Sequence, residues 1–213
     1  MPNSFRMGIM DTAYFDSKAE TWDARSARAL RAEKIYNGII AELYMNPGDH
    51  VLDFGCGTGL LGFQFIDAAG TVTFADTSSG MLEQVRKKAA SLQGGKVKIL
   101  DLTKHDVAET YNIIVSLLAL HHIEDVEGTV YNLASHVGEN GYICFSDLDL
   151  EDGSFHYPEV APHNGIDRTV ITDALRKGGM DIICNKTVYT EEKIIDGTVK
   201  TYPIFLIIGK RVG

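Results

Sequence analysis

Val51-Leu52-Asp53-Phe54-Gly55-Cys56-Gly57-Thr58-Gly59 is the stretch whose reading decides the fold. Val51 to Phe54 reads as a short buried strand, and it runs into three glycines at alternate positions. Glycine accepts positive φ and lets a ligand approach the backbone where a Cβ would intrude. The apolar segment Leu60 to Ala69 follows, up to Gly70, and is expected to be a helix whose first turn offers unpaired N–H groups at the same spot. Together these make a nucleotide-type site at the carboxyl end of a sheet. Asp53 is the odd part, because a charge in an apolar strand is costly without a partner. Gly57-x-Gly59-x-x-Gly62 also satisfies G-x-G-x-x-G literally. In a dinucleotide site, however, the first glycine follows the strand directly, and here Gly55-Cys56 intervenes. Asp53 would repel a pyrophosphate and stabilise a cationic amino group.

Upstream, residues 14–45 read as helical, with Tyr14, Phe15, Trp22, Leu30, Ile35, Ile39, Ile40 and Leu43 at mixed three- and four-residue steps. Asn46-Pro47-Gly48 stops the helix. Downstream, Thr71 to Asp76 is a second strand ending in an acid, 17 residues beyond Gly59. In a doubly wound sheet an acid there accepts hydrogen bonds from ribose hydroxyls. The alternative for Asp76 is an N-cap, a role that Thr77, Ser78 and Ser79 can also fill. Val97 to Leu100 is a third strand ending at Asp101-Leu102, and Tyr111 to Leu118 suits a central strand buried on both faces. Asp125 to Val137 reads as a helix capped by Gly138, and Gly141 to Asp147 as the fifth strand. The polar stretch Asp149 to Asp167 interrupts the pattern. A helix Thr172 to Lys177, a sixth strand Met180 to Tyr189, a hairpin at Asp196-Gly197 and a last strand Pro203 to Gly209 complete it.

V-L-D-F-G-C-G-T-G resembles the first motif of class I S-adenosylmethionine-dependent methyltransferases. Tyr14 to Asp23 resembles the Y/F-D-x-x-A-x-x-W/Y-D leader found before that motif in small-molecule methyltransferases. Ser116 to Asp125 resembles the family's a-L-H-H-I/L-x-D segment after strand four. The resemblance covers residues 14–147 and implies an α/β fold: a Rossmann-like, doubly wound, three-layer α/β/α arrangement. Its seven-stranded sheet is mostly parallel, with an antiparallel last strand beside the fifth. One domain is expected over 1–213, with residues 1–45 a helical lid region and 148–167 an acceptor-side insertion. The implied cofactor is S-adenosylmethionine, leaving as S-adenosylhomocysteine. Its implied contacts are Tyr14, Asp53, Gly55, Gly57, Gly59, Asp76, Thr77, Met81, Asp101, Leu102 and Leu118. Asp101 would meet the adenine amine and Leu102 would cover the ring. No metal is expected.

In methyl transfer the cofactor brings the hard chemistry, and the protein positions the acceptor and excludes water. A hydroxyl or protonated amine acceptor gains from a general base, a task that suits histidine. The candidates are His122 and His156, with His163 beside them. His121 ranks lower, on the expectation that one of a neighbouring pair points away. The alternative is a methyltransferase-like module that binds the cofactor without turnover; a cavity under Tyr14 and Trp22 favours the enzyme.

The resemblance implies a small-molecule acceptor, and the bulk numbers argue against the larger partners. A length of 213 residues with 45% apolar content can bury a substantial core. A net charge of −9 argues against a non-specific grip on nucleic acid or an anionic membrane. Arg25, Arg28, Arg31 and Lys34 recur at helical spacing and read as a solvated face. No proline occurs between Pro47 and Pro158, so the D/N-P-P-Y/F slot used on flipped bases is missing. Met1 to Met10 lacks a signal-peptide core, and no apolar run approaches the ~18 residues that cross a bilayer. Cys56, Cys144 and Cys184 form no C-x-x-C pair, which suits a reducing compartment and a cytoplasmic protein.

Overall fold

The computed structural model describes residues 11–92 and 95–212; the leader reading of residues 1–10 lies outside them. The chain begins with α1 (Asp11–Lys18), a 3₁₀ turn (Ala19–Ala24) and α2 (Ser26–Ile40). The single helix expected over 14–45 is therefore broken in two, at the turn that carries Trp22. There follow β1 (His50–Phe54), β2 (Thr71–Asp76), α3 (Ser79–Ala89), β3 (Val97–Asp101), β4 (Tyr111–Leu117) and α4 (Val126–Ser135). The chain ends with β5 (Val137–Leu148), α5 (Arg168–Lys177), β6 (Met180–Ile195) and β7 (Thr198–Arg211).

Among the described residues seven strands form one sheet in the order β3-β2-β1-β4-β5-β7-β6. The first five pair in parallel, while β7 runs antiparallel between β5 and β6. Side chains alternate across a strand, so both faces of this sheet are buried. Leu52 and Phe54 join a core with α4 and α5, through Leu133, Ile171 and Leu175. Val51 joins the opposite core with Ile35 and Ile39 of α2 and Leu82 and Val85 of α3. This is the expected three-layer, Rossmann-like arrangement with its antiparallel last strand beside the fifth.

Several boundaries differ from the sequence reading. The helix expected over 60–69 shrinks to a 3₁₀ turn, Gly62–Phe65. Its segment is apolar nearly all round and is pressed onto the sheet, where Gly62 lies against Asp53 and Phe74. Helix α4 stops at Ser135, and Gly138 lies inside β5 rather than capping the helix. Strands β6 and β7 are far longer than expected and project beyond β5 as a two-stranded ribbon. The pairing of β5 with β7 ends at Leu148 with Ile204, while β6 pairs on to Ile195 with Thr198. Asp196 and Gly197 both take positive φ at the tip, as a primed hairpin turn requires.

Residues 149–167 have neither helix nor strand and form a loop closed at its base. Arg168 grips Asp149 through two 2.6 Å contacts, and Ile166 N–H donates to the Leu148 carbonyl. Phe155 is buried against Tyr202.

Gly62 is closely packed between β1 and β2. A Cβ there would meet Phe74 Cε1 at 2.5 Å and Asp53 Oδ2 at 2.6 Å. Gly62→Ala is expected to cost about 1–3 kcal/mol through overpacking, read as a lowered urea midpoint with an unchanged slope.

Candidate active site

The carboxyl ends of the parallel strands open on a cavity of about 540 Å³, within the roughly 300–1,000 Å³ range of small-molecule sites. Its floor is the glycine turn, where Gly55 and Gly57 have φ of 66° and 52°. Asp76, the last residue of β2, accepts from Gly57 N–H and Ser78 N–H, both at 2.8 Å. Ser78 caps α3 by accepting from Met81 N–H, so the cap reading of Asp76 falls away. The acid instead fastens the glycine turn, and Asp76→Ala would strip two N–H groups of their partner as well as alter the site. Asp53 accepts from Gly62 N–H at 2.9 Å and lines the cavity. Burial pushes its carboxyl up to about 7, against the pull of that N–H.

The opposite wall holds three histidines. His121 and His122 sit in a 3₁₀ turn, Leu120–His122, directly after β4. Both line the cavity, which corrects the expectation that one of the pair points away. Their ring centroids are 4.1 Å apart, because a 3₁₀ turn separates neighbours by roughly a third of a revolution rather than the half turn of a strand. His122 packs edge-on to Phe15 of α1. His121 Nδ1 meets Asp147 Oδ1 at 2.5 Å, and its Nε2 meets His156 Nε2 at 2.9 Å. Asp147, near the end of β5, is buried and also accepts from Leu120 and Leu148 N–H. Burial raises its carboxyl, but His121 and those N–H groups overcome it and hold it below its usual value. Burial, with His121, His122 and Lys193 nearby, pulls His156 down to about 3, so its imidazole is neutral at pH 7. His163 turns elsewhere, against the carbonyls of Ile123 and Glu124.

The three imidazoles bring their nitrogens within 4.8 Å of one another. Tetrahedral binding of a cation at ~2.0–2.1 Å would hold nitrogens roughly 3.3–3.4 Å apart and splayed around it. The 2.9 Å contact with centroids 5.0 Å apart puts His121 and His156 nearly in line, as a hydrogen bond does.

The N-terminal segment roofs the cavity with Tyr14, Phe15 and Trp22. Two aspartates of the leader pattern fasten it. Asp16 accepts from Ser78 Oγ at 2.6 Å and Gly80 N–H at 2.8 Å. Asp23 accepts from Thr58 Oγ1 and pairs with Lys88, both at 2.6 Å. From the far side the ribbon contributes Glu191 and Lys193, and the loop contributes Phe155 to Glu159.

Of the residues expected at the site, Tyr14, Asp53, Gly55, Gly57, Asp76, Met81, Leu118, His122 and His156 line this cavity. Leu118 does so with a φ of 52°. Gly59, Thr77, Asp101 and Leu102 do not line it. Gly59 is crowded by Phe63 and Phe74. The Asp101 carboxylate is taken by Thr103 and the Lys104 ammonium, in the turn after the edge strand β3. His121, ranked below the other histidines by sequence, and Asp147, not picked out by it, complete the hydrogen-bonded chain. An acid closing the apolar run of β5 was the available signal.

A family model described as "Methyltransferase domain" matches residues 52–143. An uncharacterized methyltransferase of Bacillus subtilis, YrrT, is 30% identical over 145 residues, 66% of this chain and 65% of that protein. The hybrid PKS-NRPS synthetase poxE of Penicillium oxalicum is 34% identical over 122 residues, 52% of this chain but 3% of that enzyme. The chain thus spans under two thirds of the length of these relatives. In fold it is similar to the magnesium protoporphyrin IX methyltransferase of Synechocystis PCC 6803, solved with bound S-adenosylmethionine. That likeness has a TM-score of 0.64 at 19% identity and covers 89% of this chain and 82% of the other. The strand order, the glycine turn fastened by Asp76 and these matches agree: residues 52–143 are similar to a methyltransferase domain, on the Rossmann-like fold that S-adenosylmethionine-dependent methyltransferases share.

Proposed function

We propose that the protein transfers the methyl group of S-adenosylmethionine to a small-molecule acceptor, with His156 taking the acceptor's proton. The observation that carries this reading is the single cavity joining the glycine turn to the chain Asp147–His121–His156 beneath Tyr14 and Trp22. An open cavity there favours turnover over a module that only binds.

The residues present fit the donor. Asp76 closes β2 at the position from which an acid reaches ribose hydroxyls. Asp53 offers the cavity a carboxyl that burial, with Asp76 nearby, has raised, the kind of group a ligand's amino cation would ionise. The sulfonium, when bound, supplies the methyl group and a thioether leaving group. This chain's own residues do the rest. Asp147 holds the Nδ1 proton of His121, so His121 Nε2 accepts from His156 Nε2–H. That tautomer, assigned from the hydrogen-bond chain, leaves His156 Nδ1 free to take a proton. As the acceptor's lone pair forms its bond to the methyl carbon, the carbon–sulfur pair stays with sulfur and the acceptor proton passes to His156. Asp147, through His121, stabilises the resulting positive charge.

The loop 148–167 and the segment up to residue 45 serve in this reading as acceptor wall and lid, within one domain. Among the described residues no helix is long and apolar enough to cross a membrane. The three cysteines are buried and unpaired, which supports a reducing, cytoplasmic setting.

S-adenosylhomocysteine is expected to bind with proton release at pH 7. Asp53 is about half protonated there, and an ammonium beside it lowers its pKa, so up to about half a proton leaves per site. Calorimetry should then be more exothermic in Tris than in phosphate, with the difference lost in Asp53→Asn. Equal enthalpies in the native protein would remove Asp53 from the site.

Incubation with methyl-labelled S-adenosylmethionine and fractionated small-molecule extract is expected to yield a labelled small molecule. His156→Gln and Asp147→Asn should slow labelling about 10²–10⁴-fold while S-adenosylhomocysteine still binds. Dialysis against EDTA should leave the rate unchanged. Full labelling by His156→Gln refutes the proton-acceptor role, and a chelator-sensitive rate reassigns the three imidazoles to a metal.

A further inference from the structure

Of the four cations read as a solvated face, Arg25 and Lys34 are exposed but Arg28 and Arg31 are half-buried. Arg25, Arg28 and Arg31, spaced three residues apart from the N-cap of α2 onward, all line the cavity. Lys193 joins them from the ribbon, so two segments far apart in sequence bring four cations to one wall. Arg28 stacks on Trp22, its Cζ 3.6 Å from the ring centroid, and donates to the Trp22 carbonyl at 2.7 Å. The Lys193 ammonium lies 3.4 Å from the Phe155 ring centroid and donates to the Phe155 carbonyl at 2.7 Å.

Their nearest negative counterparts are Glu191 and Glu159, while Asp53 and Asp76 lie at the cavity's glycine turn. Glu191 pairs with Arg31 at 2.9 Å, and Glu159 lies on the side of Tyr14. Asp23 is held by Lys88 and Thr58. The Arg31 Nε–H is buried without a hydrogen-bond partner. Burial and the three arginines pull Lys193 down to about 8 despite Glu191, and burial with Arg25 and Arg31 pulls Arg28 down as well. A protein with net charge −9 thus concentrates partly desolvated positive charge on one wall of this cavity. Gathering like charges out of water costs free energy, and a bound anion returns it.

We infer that this wall recognises an ionised group on the methyl acceptor, a carboxylate or phosphate, carried on an apolar or aromatic body that packs against Phe15, Trp22 and Phe155. This rests on the methyl-transfer reading above and names its substrate class. The position supports it: Phe155, under Lys193, adjoins His156 with ring centroids 4.9 Å apart. An acceptor held by its anion here presents the rest of its body to the proton acceptor. The aromatic surfaces supply area, and the guanidinium fork supplies the charge-assisted hydrogen bonds.

The test is calorimetric titration of the whole protein, saturated with S-adenosylhomocysteine, with benzoate, phenyl phosphate and the neutral isostere benzamide. At least one of the two anions is expected to bind about tenfold or more tightly than benzamide, and the tighter one identifies carboxylate or phosphate. Lys193→Met and Arg28→Gln should each shrink that preference below about threefold. Lys34→Gln, which removes an exposed cation of α2 outside the cavity, should keep it. Titrating each protein with S-adenosylhomocysteine beforehand separates the two readings. Failure of the native protein to bind it defeats the methyl-transfer reading. If it binds, but neither anion binds at millimolar concentration, benzamide binds as well, or both variants keep the preference, the anion site is refuted. Loss of S-adenosylhomocysteine affinity in both variants, with no anion preference in the native protein, assigns the wall to the donor's own carboxylate and overturns it too.

Discussion

Three carboxylates at the carboxyl ends of parallel strands must be satisfied without water, and the loops above the sheet are arranged around that need. Asp53, Asp76 and Asp147 are each buried. A buried carboxylate without hydrogen bonds is prohibitively costly, so each recruits backbone N–H groups from the loop overhead. Asp53 takes Gly62, Asp76 takes Gly57 and Ser78, and Asp147 takes Leu120 and Leu148. Apart from Leu148, which ends β5, the donors belong to the glycine turn, the 3₁₀ turn after it, the N-cap of α3 and the histidine turn. These are the segments from which the site is built, so solving a burial problem also positions the chemistry.

The three acids end in different electrostatic states. Asp53 has one N–H donor and a neighbouring acid, and its carboxyl rises to about 7. Asp147 has an imidazole within 2.5 Å and stays ionised. One sheet thereby presents a group ready to ionise beside a cation and, two strands away, a permanent anion behind a histidine. Pairs of titratable groups pushed in opposite directions commonly mark where proton chemistry is done.

How much of this could be read from the chain depends on how local each signal was. The strand Val51 to Phe54, its glycine turn, the strand ending at Asp76 and the hairpin at Asp196-Gly197 are specified by neighbours in sequence, and the structure has them where expected. The segment after Gly59 was misread because its apolar residues carry no single face. Pressure from the sheet at Gly62 and Phe74 chose a 3₁₀ turn over a helix. Asp101 was assigned by analogy with the family, yet Thr103 and Lys104, two and three residues on, claim its carboxylate. Arg28 and Arg31 were misjudged because helical spacing says which residues share a face, not what covers it. What covers it is Glu191, 160 residues from Arg31, and no local pattern announces such a contact. His121 was ranked low by strand logic applied to residues that lie in a turn.

The ribbon that overhangs β5 divides the molecule by chain position. The glycine turn, Asp76, Met81 and the paired histidines fall within residues 52–143, the part the family model matches. Trp22, the arginines, Phe155, His156 and Lys193 fall outside it. Past Ile204 the two ribbon strands form their ladder only with each other and lean on the loop and α2 through Pro203, Lys193 and Glu191, and the loop is clasped at its base by Arg168 and Asp149. Both can be recut at their outer ends while the seven-strand register stays whole. For a protein engineer this is a chassis with adjustable tooling, in which the outer ends of ribbon and loop can be varied while the glycine turn stays untouched.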